Sequence, residues 1–260
     1  MSSALAIASG KGGVGKTTMA VNLAVLQAKK SNCVLLDADM GMANAHILLG
    51  INPKLTIKDV MDGKKSISDV LSTGPENLKF ISGGTGIMEL LSLEKSKQLN
   101  FIRNFESLSK NYDNLIVDVS AGAEETSLNM ISASDKVLIV LVNEPTSFID
   151  AFTLIKTCNL EFGLKEFCVA VNMINSQAQG KSVYKKFSDI VTKFYDVNIT
   201  FVGSMLSKSA IKNSIIKKNP VVLNNEESEI YSLFLNILAN VNKAPNNKFS
   251  GIKFFNNSIK

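Results

Sequence analysis

The chain has 260 residues, close to the upper size for one hydrophobic core, and 45% of them are apolar, as in an ordinary folded domain. Its net charge of +5 rests on lysine, since Arg103 is the single arginine; sequence-specific reading of guanine and an arginine finger supplied in cis are both disfavoured. One histidine, His46, and three scattered cysteines, Cys33, Cys158 and Cys168, argue against a histidine zinc site, a Ser-His-Asp triad and a disulfide framework.

Taken in order, a short apolar run at 5–8 reads as a strand, and SGKGGVGKTT (Ser9 to Thr18) follows it directly. Helical spacing of apolar residues then covers 17–29. A second strand is expected at 33–36, followed by DADMGMAN, and a third at 78–81. Beyond a helix over 95–109, the strand at 115–117 leads into DVSAG. Strands at 137–142, 167–171 and 199–202 alternate with helices at 147–157 and 182–194, and a closing helix spans 226–241. Near-continuous apolar strands alternating with helices imply an α/β fold: a single doubly wound, mostly parallel sheet with helices on both faces. Residues 1–241 form the expected domain. The segment 242–260, rich in asparagine and lysine, reads as a loosely held tail.

In such a sheet ligands lie at the carboxyl ends of strands, and three polar motifs fall there. Gly10 to Thr17 fit GxxxxGK[ST]: the backbone N–H groups of Gly10, Lys11, Gly12, Gly13, Val14 and Gly15 converge on phosphate oxygens, and the following helix adds its amino-terminal dipole. Lys16 would bridge the β- and γ-phosphates of a nucleotide, and the Thr17 hydroxyl, followed by Thr18, would ligate Mg²⁺. Asp37 and Asp39, two apart on an extended segment, point the same way, so both carboxylates face the metal–phosphate site. Asp118 suits a carboxylate acting on Mg²⁺ through water, and Gly122 allows backbone to approach the γ-phosphate; Ser120 between them has no evident task. In a simple phosphate loop Lys11 faces solvent.

The full pattern KGGVGKTT resembles the deviant Walker A box of the MinD/ParA superfamily, and the resemblance extends over about residues 4–240. It implies that Lys11 reaches across a homodimer, formed in the ATP state, to the partner's phosphates. It further implies that Asp39 orients the attacking water, that Asp37 supports the hydrated Mg²⁺, and that Asn44 contacts the active site or the dimer interface. Asn172, in VAVNM, stands where the family uses an asparagine against adenine. Two stretches, DADMGMANAHILLGINPKLTIKDVMDG and NEPTSFIDAFTLIK, are similar to the flagellar-number regulators of the FlhG family (FleN, YlxH). That resemblance implies slow ATP hydrolysis, control of flagellar number or placement, and a partner such as an FlhF-like GTPase, a flagellar regulator or a switch protein.

FlhG-type members attach to membrane through a carboxyl-terminal amphipathic helix. Here Ile252, Phe255 and Ile259 share one helical face, with Phe249 at its edge and Phe254 pointing away, so residues 248–260 are the segment for a peripheral membrane contact. No apolar run of about 18 residues or basic leader appears, so the expected location is the cytoplasm or the inner face of the cell membrane. Two other readings remain: a ParA- or MinD-type partitioning or division-site ATPase, the ParA-like form holding DNA through lysines such as Lys208, Lys212, Lys217 and Lys218, and an iron–sulfur carrier or metabolic ATP-dependent enzyme, which needs a cysteine pair.

Overall fold

The computed structural model describes residues 2–39, 44–84, 95–224, 228–248 and 251–255. In chain order the elements are β1 (Ser3–Ala8), α1 (Lys16–Ala28), β2 (Cys33–Ala38), α2 (Ala45–Leu48), α3 (Ile57–Met61), β3 (Ser72–Thr73), β4 (Lys79–Ser82), α4 (Lys95–Asn104), β5 (Asn114–Val119), α5 (Glu125–Ser132), β6 (Lys136–Val142), α6 (Pro145–Phe162), β7 (Glu166–Ile174), α7 (Gln177–Phe194), β8 (Asn198–Leu206), α8 (Ser209–Ile216) and α9 (Glu229–Lys243). The eight strands form one sheet in the order β3-β4-β2-β5-β1-β6-β7-β8. All neighbours are parallel except β3, which pairs antiparallel with β4 at the edge.

Strand alternation builds two cores, one on each face. Ala4, Ala6 and Ala8 of β1 face one, with Val117 of β5 and Phe105. Leu5 and Ile7 face the other, where the mostly apolar α1 and α9 cover the sheet. Near-complete burial of both strand faces explains why the sequence reads as apolar runs rather than as alternation.

The strand order reverses at β1: it lies between β5, beyond which comes β2, and β6, which leads outward to β7 and β8. Connections from neighbouring strands diverge there, leaving a crevice at the carboxyl end of β1 where the glycine-rich loop begins.

The carboxyl-terminal segment differs from the loosely held tail read from composition. Helix α9 continues to Lys243, and Asn247 then caps the start of β7 through hydrogen bonds with Lys165 and Glu166 backbone groups. Phe254 and Phe255 are buried in the core, with Phe254 edge-on to Phe105 at 5.1 Å between ring centroids. Lys253 donates to the Ser132 and Ser134 carbonyls, and the Phe254 N–H donates to the Ala133 carbonyl. Each buried phenylalanine contributes about 1.5–3 kcal/mol. Composition hides this because a few anchors suffice amid polar residues. Residues 251–255 are not helical; Phe249 and Ile259 of the expected amphipathic face lie outside the described residues.

Candidate functional site

The loop between β1 and α1 takes its shape from close packing. A side chain at Gly10 would collide with the backbone of α6 at Asp150 and Ala151, so glycine is required there for the helix to approach. Gly15 has φ of 84°, in the left-handed region, and lies against the Asn172 amide. It begins α1 without a side-chain cap, and no acidic residue occupies the first turn. The helix therefore presents unsatisfied N–H groups and a positive dipole end to an anion.

Behind the loop three carboxylates surround Lys16. Its ammonium lies 2.6 Å from Asp118 Oδ1 and 4.0 Å from Asp39 Oδ2. Asp37 and Asp118 stand directly opposite each other in the β2–β5 register, both fully buried. Asp37 accepts the Asp39 N–H on Oδ1 at 3.3 Å and the Ala45 N–H on Oδ2 at 3.0 Å. Asp118 Oδ2 is buried without a hydrogen-bond partner among the described residues. An orphaned anionic oxygen next to the Thr17 hydroxyl and a lysine suits a hydrated cation carried by a nucleotide.

Burial, and then the charge of Asp118, push the Asp37 carboxyl up from 3.8 to about 7. Burial also raises Asp118, against the pull of Lys16 and Thr17. Asp37 in the unfolded chain loses its proton near its ordinary value, while the folded chain keeps it to about 7. Its stabilising contribution is thus full below about pH 4 and lost as pH rises through about 7. Without magnesium and nucleotide, the urea midpoint should fall between about pH 5 and pH 8, with a shallower fall in Asp37→Asn. A flat profile for the unaltered protein would contradict this assignment.

The structure brings together Lys16, Thr17, Asp37, Asp39 and Asp118. Gly122 joins them, its N–H donating to the Ser9 carbonyl at 2.9 Å. Asn44 is exposed and precedes Ala45, whose N–H is held by Asp37; residues 40–43 lie outside the described residues. Lys11 points elsewhere: its ammonium lies 2.6 Å from Glu144 Oε2 and 3.1 Å from Thr146 Oγ1, at the start of α6. Asn172 donates from Nδ2 to the Val14 carbonyl at 2.8 Å, which fixes its amide against the loop.

A cavity of about 210 Å³ opens beside Gly15 and Asn172, walled by Met19, Met173, Met205 and Ile211. Leu206 at the end of β8 and Ser207 after it also line the cavity and escape sequence reasoning, although the strand-end rule that located the other motifs applies equally there. Of the lysines considered for DNA, Lys208 pairs with Glu229 at 3.2 Å and Lys212 lines this cavity. The three cysteines are buried, and burial raises each thiol well above its usual range.

Residues 2–160 match the AAA domain family. Over 218 residues, 84% of this chain and 78% of the relative, the sequence is 36% identical to the antiactivator FleN of Pseudomonas aeruginosa. The chain belongs to the MinD/ParA family of ATPases, in the group that contains FleN. Within this family it is also 27% identical to the flagellum site-determining protein YlxH of Helicobacter pylori, over 81% of this chain and 72% of that one. The MinD/ParA fold is shared with MinD in the MinC:MinD cell division complex of Aquifex aeolicus, at a TM-score of 0.77 and 24% identity, covering 92% of this chain and 95% of the other. As a MinD/ParA-type enzyme, the chain binds and hydrolyses ATP.

Proposed function

We propose that this ATPase regulates the number or placement of flagella, and that its signal is a homodimer closed around two ATP molecules. The observation carrying this reading is the position of Lys11. Its side chain lies on the rim, 38% exposed, with the ammonium tied to Glu144, while Lys16 occupies the interior of the loop. A cation held outside its own phosphate site, in a chain whose single arginine lies on α4, suits delivery to a second copy. The descriptions of FleN as an antiactivator and YlxH as a flagellum site-determining protein support the flagellar output. They favour a flagellar regulator or switch protein as partner over DNA partitioning.

ATP is held by the loop amides and Lys16, with its base in the cavity beside Asn172. Because Nδ2 of Asn172 is committed to Val14, its Oδ1 is left to accept from the adenine amino group; guanine offers an acceptor at that position. Mg²⁺, taken by Thr17 with Asp37 and Asp118 behind it, would neutralise charge on the β- and γ-phosphates. Asp39 polarises the attacking water, and Asn44 contacts the second copy. Membrane attachment through residues 248–260 requires Phe254 and Phe255 to leave the core, so it belongs to a different state of the tail from the docked one.

Removing the gene from a flagellated host tests the proposal. The number of flagella per cell, counted by electron microscopy, should change; a copy carrying Lys16→Ala should fail to restore it. Unaltered counts in the deletion strain would refute the flagellar reading.

A further inference from the structure

Neither phosphate binding nor metal binding calls for a hydroxyl at Ser120, yet this side chain is buried at the centre of the site. Its Oγ donates to the Ala38 carbonyl at 3.0 Å. The other end of the same peptide group, the Asp39 N–H, donates to Asp37 Oδ1 at 3.3 Å. The peptide joining Ala38 to Asp39 is thus gripped at both ends. Rotation of this plane swings the Asp39 side chain, because the plane fixes ψ of Ala38 together with φ of Asp39.

The backbone ladder ends at this peptide. Pairing between β2 and β5 ends at Ala38 opposite Val119, one residue short of Asp39. The Ser120 hydroxyl adds one more link past the end of the ladder. Two residues on, the Gly122 N–H holds the Ser9 carbonyl, and Ser9 Oγ donates to the Lys11 carbonyl at 2.9 Å. The turn after β5 therefore braces both the Asp39 segment and the start of the phosphate loop.

We infer that Ser120 is a positioning residue for ATP hydrolysis, acting through the Ala38–Asp39 peptide to aim the Asp39 carboxylate. The inference rests on the proposed role of Asp39 toward water. An aimed carboxylate matters to turnover because a displacement of about 1 Å at a reacting group costs up to about 10²-fold in rate. It matters little to ATP binding, which the loop amides and Lys16 provide.

Steady-state hydrolysis by the full chain tests it. Ser120→Ala should lower kcat about tenfold, with KM for ATP changed less than about twofold and ATP-dependent dimerisation kept. Ser120→Thr, which retains the hydroxyl, should recover most of the rate, and adding Ser120→Ala to Asp39→Ala should cause no further loss. A kcat unchanged in Ser120→Ala, or a loss shared by KM and thermal stability, would overturn the inference while leaving Asp39 in place. An Asp39→Ala chain with full turnover would instead remove the reading of Asp39, and this inference with it.

Discussion

Asp39→Ala is expected to lower ATP turnover by about 10³-fold while the protein still forms a dimer with ATP. Three carboxylates stand at the site, but their environments differ. Asp37 and Asp118 are fully buried, whereas the Asp39 side chain is 29% exposed. The nucleophile in ATP hydrolysis is water, and only Asp39 of the three combines access to solvent with a place beside Lys16. Positioned proton acceptors contribute about 10²–10⁴-fold to such reactions. Removing a negative charge from the edge of a phosphate site should not weaken ATP binding, so the dimer persists and accumulates. Gel filtration with ATP reads the outcome: an Asp39→Ala protein that elutes only as a monomer would contradict the separation of binding from hydrolysis.

The Lys11→Ala protein is expected to lose the dimer and, with it, about 10³–10⁵-fold of the stimulated rate, the scale of a cation delivered to a phosphoryl-transfer site. Its ion pair with Glu144 is half exposed on both sides, and pairs of that kind contribute only about 0–1 kcal/mol. Lys11 can thus leave Glu144 and Thr146 at small cost when a stronger anion is presented. Arg103 offers no substitute: it is exposed on α4 and donates to its neighbour Asn100. Lys16 is already committed to the interior, where its 2.6 Å contact with Asp118 holds it under the loop. Turnover at increasing protein concentration measures the effect, since a dimer-dependent rate rises with concentration in the unaltered protein and should stay flat in the variant.

The apolar runs gave the sheet because parallel strands buried on both faces leave an unambiguous signal, and seven of them became strands. The eighth, β3, is only two residues long and too short to carry any pattern. Helix α5 escaped because its buried residues include Thr126, Ser127 and Asn129; the Asn129 amide donates to Gln98 at 2.9 Å instead of packing against an apolar side chain. At the site, strand-end reasoning singles out Asp37 and Asp118 separately, and the register sets them opposite each other. Glu144 was beyond reach, since it meets Lys11 across 133 positions of sequence. Ser120 has no evident task in the sequence, and the Ala38 carbonyl that supplies one lies 82 positions away.

The account depends on Lys11 serving the other subunit, and mixing two inactive variants tests that most directly. In a mixed dimer of Lys11→Ala with Asp39→Ala, one of the two sites has an intact Asp39 and receives an intact Lys11 from the partner. A mixed dimer keeps one of its two Lys11 contacts, so equal mixing should raise activity well above the sum of the two variants measured separately, because each mixed dimer has one complete site. If Lys11 acted only within its own chain, every site in the mixture would lack one group. Activity no higher than the sum of the two variants measured separately would contradict the account.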